Sequence, residues 1–444
     1  MADFGPSERK MRAAGLPELA IRAFRRNFEL LVAGDRGTLS RREIEPIDAL
    51  PVFEESAALR SAGARALPHA VAIKLNGGLG TTMGMTRAKS LLPVKDGLTF
   101  LDVIALQIRA LAETSGVRVP LVLMNSFRTR DDSLAALAKH GKLSGPLAPD
   151  FMQHKVPRLL ASDLTPVSWP QQPEHEWCPP GHGDLYTALV SSGALERMLA
   201  AGLHYAFVSN SDNLGAALDL ALLGRFAESG APFAMEVKRR SEADKKGGHL
   251  ARAKNGRLVL RETAQCPDDE TASFQDISLY PFFNTNNLWM DLRALRRALD
   301  ESGGVLALPF IRNQKNVDPR DANSPEVLQL ETAMGAAISC FERAQGVQVP
   351  ALRFAPVKTT GDLLAIRSDA YVLSPDYRIL PAPGGPGAEL VVDLDPIYFK
   401  RVDQLDARTP HGPPSLIRAR RLTVRGDFSF ERGAVIEGDV RIEA

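Results

Sequence analysis

Apolar positions give the first outline of the chain. Leu16, Leu19, Ile21, Phe24, Phe28, Leu30 and Leu31 recur at helix-like spacing among arginines and glutamates. They predict a helical extension over residues 1–65, broken at Glu43-Ile44-Glu45-Pro46 and again at Pro51. The unbroken apolar run Ala70-Val71-Ala72-Ile73 reads instead as a buried strand, interrupted by Asn76-Gly77-Gly78-Leu79-Gly80. Phe100 to Ala112 places Leu101, Ile104, Ala105, Ile108 and Leu111 on one helical face, and Val119 to Phe127 is a second buried strand. Strand, loop, helix, strand opens a parallel α/β sheet, whose ligands sit at the C-terminal strand ends, where Gly77 and Met124 fall.

Further along, Tyr205 to Asn213 and Phe233 to Val237 predict strands, and Arg257 to Thr263 alternates like one. Phe151 to Arg158 looks polar and irregular, and Val327 to Ala337 reads as a mostly buried helix. Residues 375–420 are rich in proline and glycine and read as a linker, with some strand around Leu390 to Leu394. From Leu422 a period of six appears: Leu422, Phe428, Ala434 and Val440 keep step, as do Val424, Phe430, Ile436 and Ile442. That is a hexapeptide β-helix pattern, four hexads long. The expected domains are residues 1–65, 66–375 and 376–444.

The bulk numbers narrow the class. At 444 residues, 44% apolar and 24% charged, the chain is an ordinary globular one with room for a large core. A net charge of +1 gives no reason to expect nucleic acid as a partner, and Lys238-Arg239-Arg240 and Arg418 to Arg421 read as solvated surface. Cys178, Cys266 and Cys340 are far apart and odd in number, which fits neither a metal site nor a disulfide framework. No run approaches 18 apolar residues and the N-terminal stretch has no apolar signal core, so the expectation is a cytoplasmic protein without a membrane span.

Candidate chemistry lies at the breaks in the pattern. Gly77, Gly78 and Gly80 allow backbone N–H groups to approach phosphate oxygens, with Arg87 and Lys89 in reach. The spacing is neither a Walker A loop nor G-x-G-x-x-G, and a tight turn into a helix would use the same residues. Cys178-Pro179-Pro180-Gly181-His182-Gly183-Asp184 is a rigid loop in which Asp184 is expected to cap the following helix. Asn210-Ser211-Asp212-Asn213 ends a strand, and a carboxylate there can hold Mg²⁺ against a triphosphate or simply make an Asx turn. Asn284, Asn286 and Asn287 supply donors and acceptors that suit sugar hydroxyls. Lys358, between a proline-fixed strand and a Thr-Thr pair, is placed to reach phosphate.

Taken together, KLNGGLGT at 74–81, PLVLMNSF at 120–127, PPGHGDLY at 179–186, SNSDN at 209–213, FNTNNLW at 283–289 and PVKTTGDLL at 356–364 closely resemble the eukaryotic-type UTP–glucose-1-phosphate uridylyltransferases. The resemblance implies a Rossmann-like, GT-A-like nucleotidyltransferase with a mixed sheet flanked by helices and a short C-terminal left-handed β-helix. It implies the reversible conversion of UTP and glucose 1-phosphate to UDP-glucose and pyrophosphate with Mg²⁺. By the same resemblance Leu75, Asn76, Gly77, Gly78, Met124, Gln153, Gly181, His182, Gly183, Asn210 and Ser211 line the nucleotide. Asp212 holds the metal as well, Lys89 and Lys358 are the catalytic cations, and Gly248, Glu262, Asn284 and Asn286 hold the sugar. Gln153 would read the uracil edge with its side-chain amide.

The chain departs from the family at Cys178, where relatives often carry an aromatic residue, and at Arg87-Ala88, where Arg87 is either a second phosphate cation or a solvated side chain. Relatives with a longer β-helix often use it to form oligomers; four hexads leave the state of this chain open. Two other enzymes of the same fold, a UDP-N-acetylhexosamine pyrophosphorylase and a broad UDP-sugar pyrophosphorylase, compete with the glucose enzyme. FNTNNLW and KLNGGLGTTMG favour the latter. A catalytically silent nucleotide-sugar sensor would be expected to lose a charge among Lys89, Asp212 and Lys358, and all three are present. A NAD-dependent dehydrogenase is disfavoured by the glycine spacing.

Overall fold

The apolar run at Ala70 forms a strand, Ala70–Asn76, whose seven residues are all buried. In a computed structural model describing residues 2–444, it pairs in parallel with Leu121–Asn125, from Ala72 opposite Leu121 to Asn76 opposite Asn125. Between them runs the helix Phe100–Ser115, started by a Thr99–Asp102 capping box and ended by Gly116 in the left-handed region. Burial would raise the Asp102 carboxyl, but hydrogen bonds from Lys139, His140 and Thr99 outweigh it and hold the group at about 2. The one charge inside the strand, Lys74, donates to Ser209 Oγ and to the Ala216 carbonyl, both at 2.6 Å.

The chain divides into two compact units. The first takes the chain up to Val71, Asp150–Val208 and Leu220–Val349; the second takes Ala72–Pro149, Ser209–Asp219 and Pro350–Ala444. A mixed sheet runs through the first. Its long strand Phe282–Asp291 is antiparallel to Tyr205–Asn210 and to Phe233–Arg239, and the last of these is parallel to Gln345–Gln348. The register slips between Glu236 and Val237, and Asn286 takes a left-handed φ of 57° beside the slip. Glu236 is buried there, its carboxylate accepting from Asn287 Nδ2 at 3.0 Å and Trp289 Nε1 at 2.9 Å. FNTNNLW is thus a bulged strand: Asn284 stays opposite Val237 and Asn287 opposite Glu236, and the bulge leaves Thr285 and Asn286 out of the ladder.

The N-terminal extension is helical, as expected, at Gly5–Ala13, Glu18–Val32 and Ala57–Ala66. Met11, Ile21, Phe24 and Phe28 pack against Val156, Leu159, Cys178 and Leu330, so these helices brace the loops that follow Phe151 and Trp177. Residues 151–158 are not irregular: Asp150–Met152 and Val156–Pro157 are short strands, the latter paired with Trp177–Cys178. Nor is Val327–Ala337 a helix. Glu326–Thr332 is a strand antiparallel to Phe310–Asn316, followed by the 3-10 helix Met334–Cys340. Val327, Leu330, Met334 and Ala337 are spaced as on a helix, but the backbone partner at 310–316 decides the conformation.

In the second unit the predicted linker is more structured than expected. It holds the strand Ile379–Pro381, paired with Tyr371–Leu373 just before it, and the helices Pro396–Phe399 and Val402–Arg408. The hexads behave as predicted: Leu422 lies opposite Val440 and Val424 opposite Ile442 in parallel strands, each partner three hexads further on. Val391–Leu394 adds a third parallel strand. Leu422, Val424, Phe430 and Ile436 are buried in one core with Val357, Leu363, Leu364 and Phe399, so the repeat packs against the segment that carries Lys358.

Two glycines fix the closest helix contact of the first unit. A Cβ on Gly63 would lie 1.7 Å from the Leu220 carbonyl oxygen, and one on Gly224 would lie 2.0 Å from that of Leu59. The helices Ala57–Ala66 and Leu220–Ser229 therefore meet backbone to backbone. Gly63→Ala should cost about 2 kcal/mol or more by overpacking, read as a lowered urea midpoint. An unchanged midpoint would show that the helices are not in such contact.

Candidate active site

In the second unit the strand Ala70–Asn76 ends in a braced turn. Asn76 is buried, and its Nδ2 donates to Asn125 Oδ1 at 2.7 Å and Ser133 Oγ at 2.8 Å. The side-chain amide nitrogen is thus used within the protein, and the turn's free surface is backbone. The Gly77 carbonyl accepts from Ser126 Oγ at 3.0 Å and the Gly78 carbonyl from the Lys89 N–H at 3.0 Å. Gly80 and Gly84, not Gly77 and Gly78, take the left-handed conformation, at φ 63° and 77°. Nothing lies within 4 Å of where a Gly78 Cβ would be, so the protein leaves that backbone open to an approaching group. Leu75 and Met124 are buried opposite each other in the parallel pair.

Charge gathers at the same level. Lys89 Nζ lies 2.7 Å from Asp212 Oδ2, and both side chains are partly buried. The Ser211 N–H donates to the Leu75 carbonyl at 3.0 Å, which holds the tail of Tyr205–Asn210 beside the turn. Asn213 then anchors a distant segment. Its Oδ1 accepts from the Ala355 N–H at 2.9 Å and the Gly215 N–H at 3.1 Å, and its Nδ2 donates to the Arg353 carbonyl at 3.2 Å. The Val357 N–H reaches the Asp212 carbonyl at 3.2 Å. Lys358 is the next residue, exposed, with its backbone N–H donating to Asp362 at 2.9 Å in a Thr359–Asp362 capping box. Arg87 is exposed.

The first unit carries the other predicted residues. Gln153 Nε2 donates to the Gly181 carbonyl at 3.0 Å, which orients the amide. Asp184 is not the cap of its helix. Gly183 occupies that position, and the Asp184 carboxylate accepts from the His154 backbone at 2.7 Å and from His154 Nδ1 at 2.9 Å. A carboxylate in a first helical turn suits a cap as well as a distant donor, and here the nearby His154 wins. The glycines beside His182 also have a packing role. A Cβ on Gly181 would lie 2.4 Å from the Thr332 carbonyl oxygen, and one on Gly183 2.4 Å from Thr332 Oγ1. They let the loop close on the strand Glu326–Thr332.

His182 has a defined tautomer. Its Nδ1 accepts from the Met334 N–H at 2.9 Å, so the ring proton is on Nε2 and that atom is a donor. Burial pushes the ring down to about 4, so it stays neutral at physiological pH. The four predicted sugar residues meet. The Asn284 N–H donates to the Gly248 carbonyl at 3.0 Å, and Asn284 Nδ2 to Asn286 Oδ1 at 3.0 Å. A Cβ on Gly248 would lie 2.5 Å from Glu262 Oε2, so only glycine allows that carboxylate its place.

The sequence reading assigned no role to Asn213, Glu236, Lys74 or Thr332. Lys74 stands as the one charge of its apolar strand and Glu236 as the one charge of the apolar run Phe233 to Val237, a pattern that marks an internal ion or hydrogen-bond network. Thr332 carries no such mark. Asp212 suits a metal that arrives with phosphates: Mg²⁺ takes one or two carboxylates and completes its shell with phosphate and water. Among the described residues no group of three His, Cys, Asp or Glu side chains could cage a metal ion.

A family model described as UTP–glucose-1-phosphate uridylyltransferase matches residues 21–437. The chain is 43% identical over 383 residues to the UTP–glucose-1-phosphate uridylyltransferase of Hordeum vulgare, an overlap of 85% of this chain and 78% of that protein. Among solved structures it is similar to the UDP-glucose phosphorylase of Trypanosoma brucei, at 44% identity and TM-score 0.91, covering 99% of this chain and 94% of that one. It is also similar to a variant of the Leishmania major UDP-glucose pyrophosphorylase in complex with UDP-glucose, at 43% identity and TM-score 0.92, covering 100% and 95%.

Two histidines of depressed basicity, His182 half-buried and His249 buried, give the fold an acid limit. Beside His182, the His249 ring is wholly buried and stacked on Tyr280 at 4.0 Å; burial, with Arg240 and Arg261 nearby, pushes it down to about 3. Unfolded histidines bind protons near ~6.5, so below that pH the unfolded chain takes up protons that the folded chain refuses. Stability should hold above about pH 7 and fall as the pH drops from there towards 4. Urea midpoints at several pH values should show a shallower acid loss in His249→Phe than in wild type; parallel curves would contradict the burial of a neutral ring.

Proposed function

This chain belongs to the UTP–glucose-1-phosphate uridylyltransferase family and forms UDP-glucose and pyrophosphate from UTP and glucose 1-phosphate; from that premise we propose a metal-assisted in-line transfer driven by positioned cations. The observation that carries the proposal is the Lys89–Asp212 pair at 2.7 Å, with Lys358 on the segment bonded to the Asp212 carbonyl. A phosphate oxygen of glucose 1-phosphate attacks the α-phosphorus of UTP. The bond from that phosphorus to the bridging oxygen breaks, and pyrophosphate leaves with the electron pair. The attacking phosphate is already anionic, so no protein base or nucleophile is required.

Two anionic reactants repel, and the chain's part is to offset that charge and align the atoms. Lys89 and Lys358 supply cations, and the backbone at Gly77 and at the open Gly78 supplies N–H donors. Asp212, with Asn210 and Ser211 beside it, would hold Mg²⁺, which supplies further positive charge to the phosphates when bound. His182 donates from Nε2 and carries no proton in the reaction, which fits its depressed basicity. Gln153 reads the uracil edge, with Leu75 and Met124 against the base. Glu262, Asn284 and Asn286 take the glucose hydroxyls, with Gly248 leaving them room.

We also place the protein in the cytoplasm. Among the described residues no helix is long and apolar enough to cross a membrane, and the three cysteines are unpaired.

Pyrophosphate release with UTP and Mg²⁺ tests the assignment. Release should depend on glucose 1-phosphate, with little from N-acetylglucosamine 1-phosphate or galactose 1-phosphate; comparable release from all three would make the enzyme a broad UDP-sugar pyrophosphorylase. Lys89→Ala and Lys358→Ala should each lower kcat by ~10²-fold or more, as when a transition-state donor is lost. Turnover near wild type in either variant would remove that lysine from the catalytic group.

A further inference from the structure

The first unit contains a cavity that shares no residue with the site above. It has a volume of about 510 Å³, within the range of small-ligand pockets. Its floor is apolar, with Leu258 and Phe341 both buried and Leu50 beside them. Its rim carries three exposed guanidiniums, Arg252, Arg257 and Arg343, against one carboxylate lining it, Glu342. Glu342 pairs with Arg257 at 3.1 Å, and Arg252 Nη1 donates to the Gly256 carbonyl at 2.8 Å. Glu45 stands opposite Arg252 in the neighbouring strand, with no ion pair between them among the described residues. Arg343 has no ion pair there and is held at φ 59°, a conformation that arginine rarely adopts. Forked cations over an apolar floor suit an anion with an apolar body better than a bare inorganic ion.

The cavity is joined to the proposed site by one short element. Arg257 Nη1 donates to the Ser339 carbonyl at 3.4 Å, near the end of the 3-10 helix Met334–Cys340. At the other end the Met334 N–H donates to His182 Nδ1. Between them, a Cβ on Gly335 would lie 2.8 Å from Leu260 Cδ2 and 3.2 Å from Asn284 Nδ2, so the helix packs directly on the proposed sugar residue. An anion that draws Arg257 to itself competes with the Ser339 carbonyl and Glu342 for that guanidinium. The change falls on the helix that positions His182 and Asn284.

We propose that this cavity binds a small organic anion, a phosphate or carboxylate on an apolar body, and that the 3-10 helix Met334–Cys340 transmits its occupancy to the sugar pocket. Binding stands on the cavity alone; the coupling rests on the reading of Asn284 as a sugar ligand. Binding should be measured on the full chain saturated with UDP-glucose, which keeps the probe off the catalytic phosphate positions; the coupling is measured separately, by kinetics at varied UDP-glucose. Phenyl phosphate and benzoate are the two probes, and calorimetry is the first readout. At least one should bind, with the stronger of the two identifying the headgroup, and inorganic phosphate should bind more weakly than phenyl phosphate. The Arg257→Ala/Arg343→Gly double variant should weaken binding at least tenfold and, by freeing the Ser339 carbonyl, should shift the probe-free KM for UDP-glucose in the direction that the bound probe shifts it in wild type. Arg343→Gly alone relieves the backbone conformation, keeps the fold and should weaken binding severalfold. No binding by either probe, or equal binding in wild type and the double variant, would overturn the site. For the coupling, the bound probe should change KM for UDP-glucose in the reverse reaction at least twofold in wild type and not in the double variant. Binding with no change in KM would overturn the coupling. Asn284→Ala with unchanged KM, measured without probe, would instead fault the sugar assignment.

Discussion

The arrangement of charge in the second unit depends on one side-chain amide. Asn213 accepts from Gly215 and Ala355 through its oxygen and donates to Arg353 through its nitrogen. Those bonds bring a segment from far along the chain to the end of Tyr205–Asn210 and deliver Lys358 next to Val357, whose N–H meets the Asp212 carbonyl. An amide can do this because it carries donor and acceptor on one planar group; neither aspartate nor leucine offers both. Remove it and Lys89 would still face Asp212, but the segment that carries Lys358 would be left with the weaker Leu214–Ala355 and Val357–Asp212 backbone bonds at 3.3 and 3.2 Å, the Arg353–Ala217 bond and its own helix cap.

Packing supports the same arrangement from behind. The hexapeptide coils, the helix Thr360–Arg367 and Phe399 share one core with Val357, so the repeat steadies the segment that carries Lys358. In the first unit, tight backbone approach plays the corresponding part. Gly181 and Gly183 close the histidine loop on Thr332, and Gly248 yields space to the Glu262 carboxylate. Each of these glycines meets a neighbour within the protein itself, whereas Gly78 faces open space.

The strands, their terminal loops and the β-helix were legible because their signals are local. An apolar run bounded by glycines, and a six-residue period, need no knowledge of distant partners. The region from Val327 was not legible, because its apolar spacing fits a helix and only the pairing with Phe310–Asn316 makes it a strand. The same holds for Asp184, a residue type that caps helices, which is used by His154 instead. Family resemblance named four candidate sugar residues, and the structure brings all four together. Thr332 left no trace in the pattern, since a threonine in a strand looks like any other until the loop above it is seen.

The most direct test of the account is a double-mutant cycle on kcat with Asn213→Ala and Lys358→Ala. If Asn213 works by delivering Lys358, the two losses should be strongly non-additive: once Asn213 is gone, removing Lys358 should cost little more. Losses that simply multiply would mean that the two residues act independently and that Asn213 does not set the position of the catalytic lysine.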